Sequence, residues 1–312
     1  MTDQQSGWLF TGLHWESGSP VLTAAPLPAG CDGPPGSEKR RPAAAGQQLD
    51  WAFDGPRRCI GIWAGGQRRP CPFAAPLPCA GTDPQCPACA AADPGRQLAR
   101  NAVPGDPART YQLYLAWFGP DLLKIGLTAA DRGRNRLLEQ GAIAFTLLAE
   151  GPYTAIRQLE QAVSARRLAP ERVGTHAKAA AWWSLPAPGE RAALLQAARD
   201  HVTREIAWPR QVRILPAAVT DQAGDFGLPS PFPRSYSEVT AIGARARLAG
   251  EVRCVIGRHL LLASGAGLLL VDARRASGRV FLSGTPAAPD GGLQVTERTR
   301  PWNLDADQQQ LF

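Results

Sequence analysis

The period of apolar positions changes several times along the chain, and each change marks an element. Trp8 to Trp15 alternates apolar and polar side chains and Val21-Leu22-Thr23 follows, the pattern of strands. Leu27 to Gly46 is rich in Gly and Pro and reads as a loop or linker. Tyr111 to Phe118 is an apolar, aromatic run fit for a strand. Gly119-Pro120-Asp121 is a turn and Leu122 to Leu127 a second short strand, so together they predict a β-hairpin. A helix is predicted from about Asp131 to Gln140 with Gly141 as its stop. A third strand covers Ile143 to Leu148 and is broken by Gly151-Pro152. Ile156, Leu159 and Val163 mark one face of a further helix; Leu194, Leu195, Ala198, Val202 and Ile206 mark another, ended by Pro209. The order β-β-α-β-α-α predicts an α+β layer arrangement. Residues 211–237 are Pro-rich and read as a connector. Arg253 to Ile256, Leu260 to Ala263, Gly267 to Val271 and Arg279 to Leu282 alternate with glycines and predict a small antiparallel β unit. Residues 286–307 read as a loose tail, and no internal repeat is present.

The stretch 59–105 has little periodicity of either kind and is rich in Cys, Pro and Gly. Such a segment cannot bury a core alone, and a bound metal would supply the missing stability. Five of the seven cysteines fall within residues 59–89, and Cys86-x-x-Cys89 places two thiolates on one tight turn. Cys59 and Cys71 are the natural second pair, with Cys79 as a substitute for Cys71. Four thiolates favour zinc over a hard cation, and a fully protein-filled shell makes the site structural. The competing readings are free cytosolic thiols that happen to cluster and, less well supported because no βαβ pattern surrounds Cys86 and Cys89, a redox pair. Cys31 and Cys254 read as unrelated small apolar side chains.

These shifts divide the chain into an N-terminal β-rich segment with its linker (1–58), a cysteine cluster or zinc knuckle (59–105), an α/β domain (106–210), the connector (211–237), the small β unit (238–285) and the tail (286–312). No uninterrupted apolar stretch of spanning length and no secretory signal are visible, so a cytoplasmic address without membrane contact is expected. The formal net charge is +7 and only Lys39, Lys124 and Lys178 are lysines, so the positive charge is nearly all guanidinium, which suits phosphate but does not by itself establish nucleic-acid binding. No P-loop, Rossmann glycine fingerprint or nucleophile elbow appears.

Gln112-Leu113-Tyr114, then nine intervening residues and Lys124-Ile125-Gly126, resembles the two-strand signature of GIY-YIG nucleases, and Leu127-Thr128 with Arg136-Leu137-Leu138 continues the resemblance. Glu160 stands where that family places its metal-binding glutamate. The likeness covers roughly residues 110–185 and implies a three-stranded antiparallel sheet with helices. It also implies phosphodiester hydrolysis with one Mg²⁺ or Mn²⁺ ion. Tyr114 would handle the attacking water, Arg136 the scissile phosphate and Glu160 the ion. Lys124 departs from the pattern, because the family has its second tyrosine there; a lysine serves as a base only after a large fall in pKa, or else contacts phosphate, as Arg134 and Arg136 also would. The whole chain is similar to an uncharacterised bacterial family, domain-of-unknown-function 2797, through its cysteine cluster, Lys124-Ile125-Gly126-Leu127-Thr128 and Arg136 to Ala142.

The last residues, Gln308-Gln309-Gln310-Leu311-Phe312, resemble the Q-x-x-L-F peptide by which bacterial DNA-handling proteins dock on the replication sliding clamp. Gln308, Leu311 and Phe312 would be the contacts. The expectation is a nucleic-acid-associated protein, with DNA as the partner and metal-dependent endonuclease as its activity. The alternatives are a non-catalytic zinc-containing binding module and a protein adaptor.

Overall fold

The computed structural model describes residues 7–27, 38–64, 67–99, 106, 108–282 and 292–300. They form two compact units, residues up to 103 with 235–299, and residues 104–234. Mixed α+β content, with several sheets, agrees with the expected class.

The discontinuous unit is built on a ten-stranded sheet. Its order is Leu293–Thr299, Ser235–Ile242, Gly267–Asp272, His259–Ser264, Arg247–Ile256, Gln48–Asp54, Val280–Leu282, Gly7–Glu16, Ser19–Pro26 and Lys39–Pro42. Neighbours are antiparallel except Ser235–Ile242 and Gly267–Asp272, which run parallel. Successive strand residues face opposite sides, yet Leu260, Leu261 and Leu262 are all buried, so both faces are covered there. Trp51 anchors one cluster, with its ring 5.0 Å from Phe10 and stacked at 5.8 Å on Phe281.

The strands expected within 238–285 thus share a sheet with those of the N-terminus, joined where Arg247–Ile256 pairs with Gln48–Asp54. Two edges depart from expectation. Residues 39–42, read as linker, and 293–299, read as loose tail, are strands pairing with Ser19–Pro26 and Ser235–Ile242. Edge strands can stay polar, because backbone pairing holds them and one side faces water. Lys39–Pro42 is exposed throughout, so it shows no apolar alternation.

The second unit carries a five-stranded antiparallel sheet in the order Arg213–Ile214, Ala144–Gly151, Tyr111–Trp117, Leu123–Ala129, with Val219–Asp221 also paired to Ala144–Gly151. The predicted hairpin and third strand are present, and the short strands within 213–221 add to them from the stretch read as a connector. Leu113, Tyr114, Leu115 and Ala116 are all buried, so the central strand is covered on both faces. A 3-10 turn, Ala130–Arg132, leads into helix Gly133–Gln140. Gly141 ends that helix at φ 70°, where its N–H returns to the last turn. Helix Tyr153–Ala165 buries Ile156, Leu159 and Val163 as expected. Trp182 and Trp183 are buried, and Trp182 donates to the Gly141 carbonyl at 3.2 Å.

Helix Pro188–Glu205 differs from its apolar pattern. Leu194 is 48% exposed, and the buried face holds Arg191 and Arg199 beside Leu195 and Val202. The reason is backbone hydrogen bonding. Between Arg213–Ile214 and Val219–Asp221 the edge ladder is interrupted at Pro216, and carbonyls there need donors. Arg199 donates to the Leu147 and Leu215 carbonyls, and Arg191 binds Asp221 through Nε at 2.9 Å and Nη2 at 2.6 Å.

The first unit uses the same device. Arg57, fully buried, donates to the carbonyls of Ser277 (2.7 Å), Gly81 (2.8 Å) and Arg274 (3.1 Å). Arg275 donates to Ala80 and Thr240, and Arg279 to Cys79 and Ile242. Three guanidiniums thereby tie the 79–81 loop to the sheet. Burial, aided by the charge of Arg279, pulls Arg57 down to about 10, still protonated at neutral pH. Removing a buried donor leaves several carbonyls unpaired, so Arg57→Met should lower unfolding free energy by about 3 kcal/mol or more. Urea titration followed by circular dichroism measures this, and an unchanged midpoint would contradict the anchoring role.

Candidate metal centre and candidate phosphate cleft

The cysteine segment is folded as short antiparallel pieces. Cys59 donates its N–H to Ala75 at 2.8 Å and Leu77 to Arg57 at 2.8 Å, so residues 57–59 run beside 75–77. The hairpin Ile62–Ala64 with Gln67–Arg69 then returns the chain to Cys71. Gly61, at φ +86°, lies so close to the Arg69 carbonyl and the Cys71 N–H that no side chain fits. Cys86 precedes the short helix Pro87–Ala92 and Cys89 lies within it.

The result is one buried cluster. The sulfurs of Cys59, Cys71, Cys86 and Cys89 all lie within 4.8 Å of one another. A tetrahedral zinc thiolate site has Zn–S near ~2.3 Å and hence S···S near ~3.8 Å, so small shifts would close this shell. The Cys59 sulfur accepts N–H bonds from Cys86 at 3.2 Å and Gly61 at 3.4 Å, the donors a thiolate needs. The N–H of Cys89 holds the Cys86 thiol below its ordinary range, while burial pushes Cys59 and Cys89 up. Ile62, Ala75 and Leu77 shield the cluster. Cys79 is exposed and outside it, so Cys71 takes the fourth position; Cys254 is buried in its strand, as expected of a small apolar side chain, and Cys31 lies outside the described residues. The residues present therefore fit a metal ion. Asp83, paired with Arg96 at 2.6 Å, and Gln85, bonded to Asp93 at 2.8 Å, brace the loop before Cys86.

In the second unit, Tyr114 sits on the central strand with 1% exposure and pairs across the ladder with Gly126. Its phenol oxygen accepts from Lys124 Nζ at 3.2 Å and Gln140 Nε2 at 2.8 Å. Gly126 is the reason this fits, because a Cβ there would strike the Tyr114 oxygen and come within 2.6 Å of Lys124 Nζ. Glu160 is buried, and desolvation pushes its carboxyl up, opposed by the charges of Arg157 and, more weakly, Lys124. Tyr114 and Lys124 thus touch, and Lys124 lies within electrostatic reach of Glu160.

Arg136 joins them only indirectly. It is partly exposed, with Nη1 3.5 Å from Glu139, and its helix reaches Tyr114 through Gln140, one turn on. Arg134 turns to Gln222 at 3.1 Å and to Asp225. Gln140 and Glu171 were not singled out from the sequence, although Gln140 lies four residues after Arg136, a spacing that shares a helix face, as does that of Arg157, three before Glu160. The divalent ion implied for Glu160 does not fit the site as built, since that carboxylate is engaged by Arg157. Gln308, Leu311 and Phe312 lie outside the described residues. No described helix is long and apolar enough to cross a membrane.

A family model described as a protein of unknown function (DUF2797) matches residues 46–280. No curated protein and no solved structure matches. The matched span contains all four clustered cysteines as well as Tyr114, Lys124, Arg136 and Glu160.

The cluster predicts about one bound metal ion per chain in purified protein. Cys86→Ser should lower metal content sharply, while Cys79→Ser should leave it unchanged. Elemental analysis by mass spectrometry distinguishes these, and equal loss in both variants would contradict the assignment.

Proposed function

This chain belongs to the DUF2797 family, and we propose that it is a zinc-braced nucleic-acid-binding protein whose 104–234 unit holds a phosphodiester backbone in a GIY-YIG-like cleft. The meeting of Lys124, Tyr114 and Gln140 over Gly126 carries this reading. Three elements deliver an ammonium, a phenol and an amide to one place, and the adjoining helix contributes Arg136. Lys124 and Arg136 supply charge for phosphate oxygens, and Gln140 and Tyr114 add neutral donors. Arg134 serves at the margin, held by Asp225. DNA is the proposed polymer.

Zinc is the proposed metal because four buried thiols are soft donors and close the shell, leaving no open position for catalysis. When bound, it would replace the apolar core that the 59–99 segment lacks.

A second reading, endonuclease, is favoured by the Lys124–Tyr114 contact. In it a water adds to phosphorus, one P–O bond breaks, and a phosphate monoester and an alcohol leave. Tyr114 would orient that water, with Lys124 and Arg136 neutralising charge on the phosphate. The proposed tail contacts Gln308, Leu311 and Phe312 would recruit the protein to a sliding clamp.

Binding to labelled DNA, followed by fluorescence anisotropy, should weaken steeply with salt, and Lys124→Ala and Arg136→Ala should each reduce the slope by about one. A flat response would point instead to an adaptor without nucleic acid. Cleavage of duplex, single-stranded or branched DNA that disappears in Tyr114→Phe would establish the endonuclease reading, and binding without cleavage would leave the module reading. Deleting Leu311 and Phe312 should abolish clamp binding in a pull-down with purified clamp, and undiminished binding would remove the tail proposal.

A further inference from the structure

Arg157 and Glu160 lie on one face of helix Tyr153–Ala165, and Glu171 follows that helix in the chain. One nitrogen of Arg157, Nη1, donates to Glu160 Oε2 and also, at 2.9 Å, to Glu171 Oε2. A guanidinium amino nitrogen has two hydrogens, so each carboxylate receives one. The two carboxylates therefore converge on a single positively charged atom.

Three observations show that the carboxylates, rather than general packing, set this position. Glu160 is 6% exposed, and its nearest strong compensation for lost water is the Arg157 charge. Glu171 adds negative charge beside Glu160, and the Arg157 guanidinium lies between the two and bonds both. The Arg157 Nε is buried without a hydrogen-bond partner, so the side chain leaves one of its own donors unused while making these two bonds.

We infer that Arg157 is the resident cation of the Glu160–Glu171 pair, a guanidinium seated where a divalent ion would otherwise bind. The two occupants exclude each other. Mg²⁺ or Mn²⁺ takes carboxylate oxygens at about 2.1 Å, using the lone pairs that now accept from Arg157, and a doubly charged ion repels the guanidinium beside it. Wild-type protein accordingly has no Mn²⁺ site at Glu160, and loss of the guanidinium creates one. The inference stands apart from nucleic-acid binding, since it concerns occupancy by the metal alone.

Mn²⁺ titration of metal-replete, full-length protein, followed by loss of the free-ion electron paramagnetic resonance signal, tests it. Wild type and Arg157→Lys should take up no ion that depends on Glu160. Arg157→Gln should gain one ion per chain with affinity at least about tenfold above wild type, and Arg157→Gln with Glu160→Gln should lose it. Wild-type uptake abolished by Glu160→Gln would overturn the inference. So would an Arg157→Gln protein with a native thermal melt that binds no more Mn²⁺ than wild type. If Arg157→Gln fails to fold, the comparison of wild type with Glu160→Gln still decides: Glu160-dependent uptake overturns the inference, and its absence supports it.

Discussion

Backbone carbonyls inside a protein must find a hydrogen-bond donor, and for several loop, helix and strand carbonyls of this chain that donor is a guanidinium. Arg57 reaches the carbonyls of Ser277, Gly81 and Arg274, and Arg275 and Arg279 reach those of Ala80 and Cys79. In the other unit Arg199 serves Leu147 and Leu215. A planar fork with five donors can bond several carbonyls at once, which a lysine cannot do as well. The arginine bias of the chain is therefore partly structural, and net charge alone overstates how much of it is free for a partner.

That anchoring sets up the cysteine cluster. The 59–99 segment has few apolar side chains, and its short hairpin and helices hold position because the 79–81 loop is tied to the ten-stranded sheet. With the loop fixed, Gly61 lets the segments carrying Cys59 and Cys71 pack closely and Cys86-x-x-Cys89 completes the cluster. A metal ion there would convert four thiols crowded within 4.8 Å from a liability into a cross-link.

The Tyr114–Lys124–Gln140 cluster rests on a different constraint, the close approach of Tyr114 to a glycine. With Gly126 opposite, there is room for the phenol to meet both Lys124 and Gln140. The Lys124-Ile125-Gly126 spacing thereby has a steric reason independent of any family likeness. Glu160, by contrast, is committed to Arg157. Lys124 and Gln140 thus meet on the Tyr114 phenol, while the Glu160 carboxylate is paired with a guanidinium.

How much was legible follows from the range of each interaction. The hairpin at 111–127, the glycine stop at Gly141 and the Cys86/Cys89 turn are local, so residue spacing alone determined them. The choice of Cys71 over Cys79, the pairing of residues 39–42 and 293–299 as strands, and the buried face of helix Pro188–Glu205 were decided by tertiary structure. Each depends on a partner far along the chain: a sulfur brought near by a hairpin, a polar edge strand held only by its backbone, an arginine drawn inward by carbonyls lacking donors. Local periodicity records which side chains prefer to leave water, but it carries no record of which distant backbone group or charge will meet them.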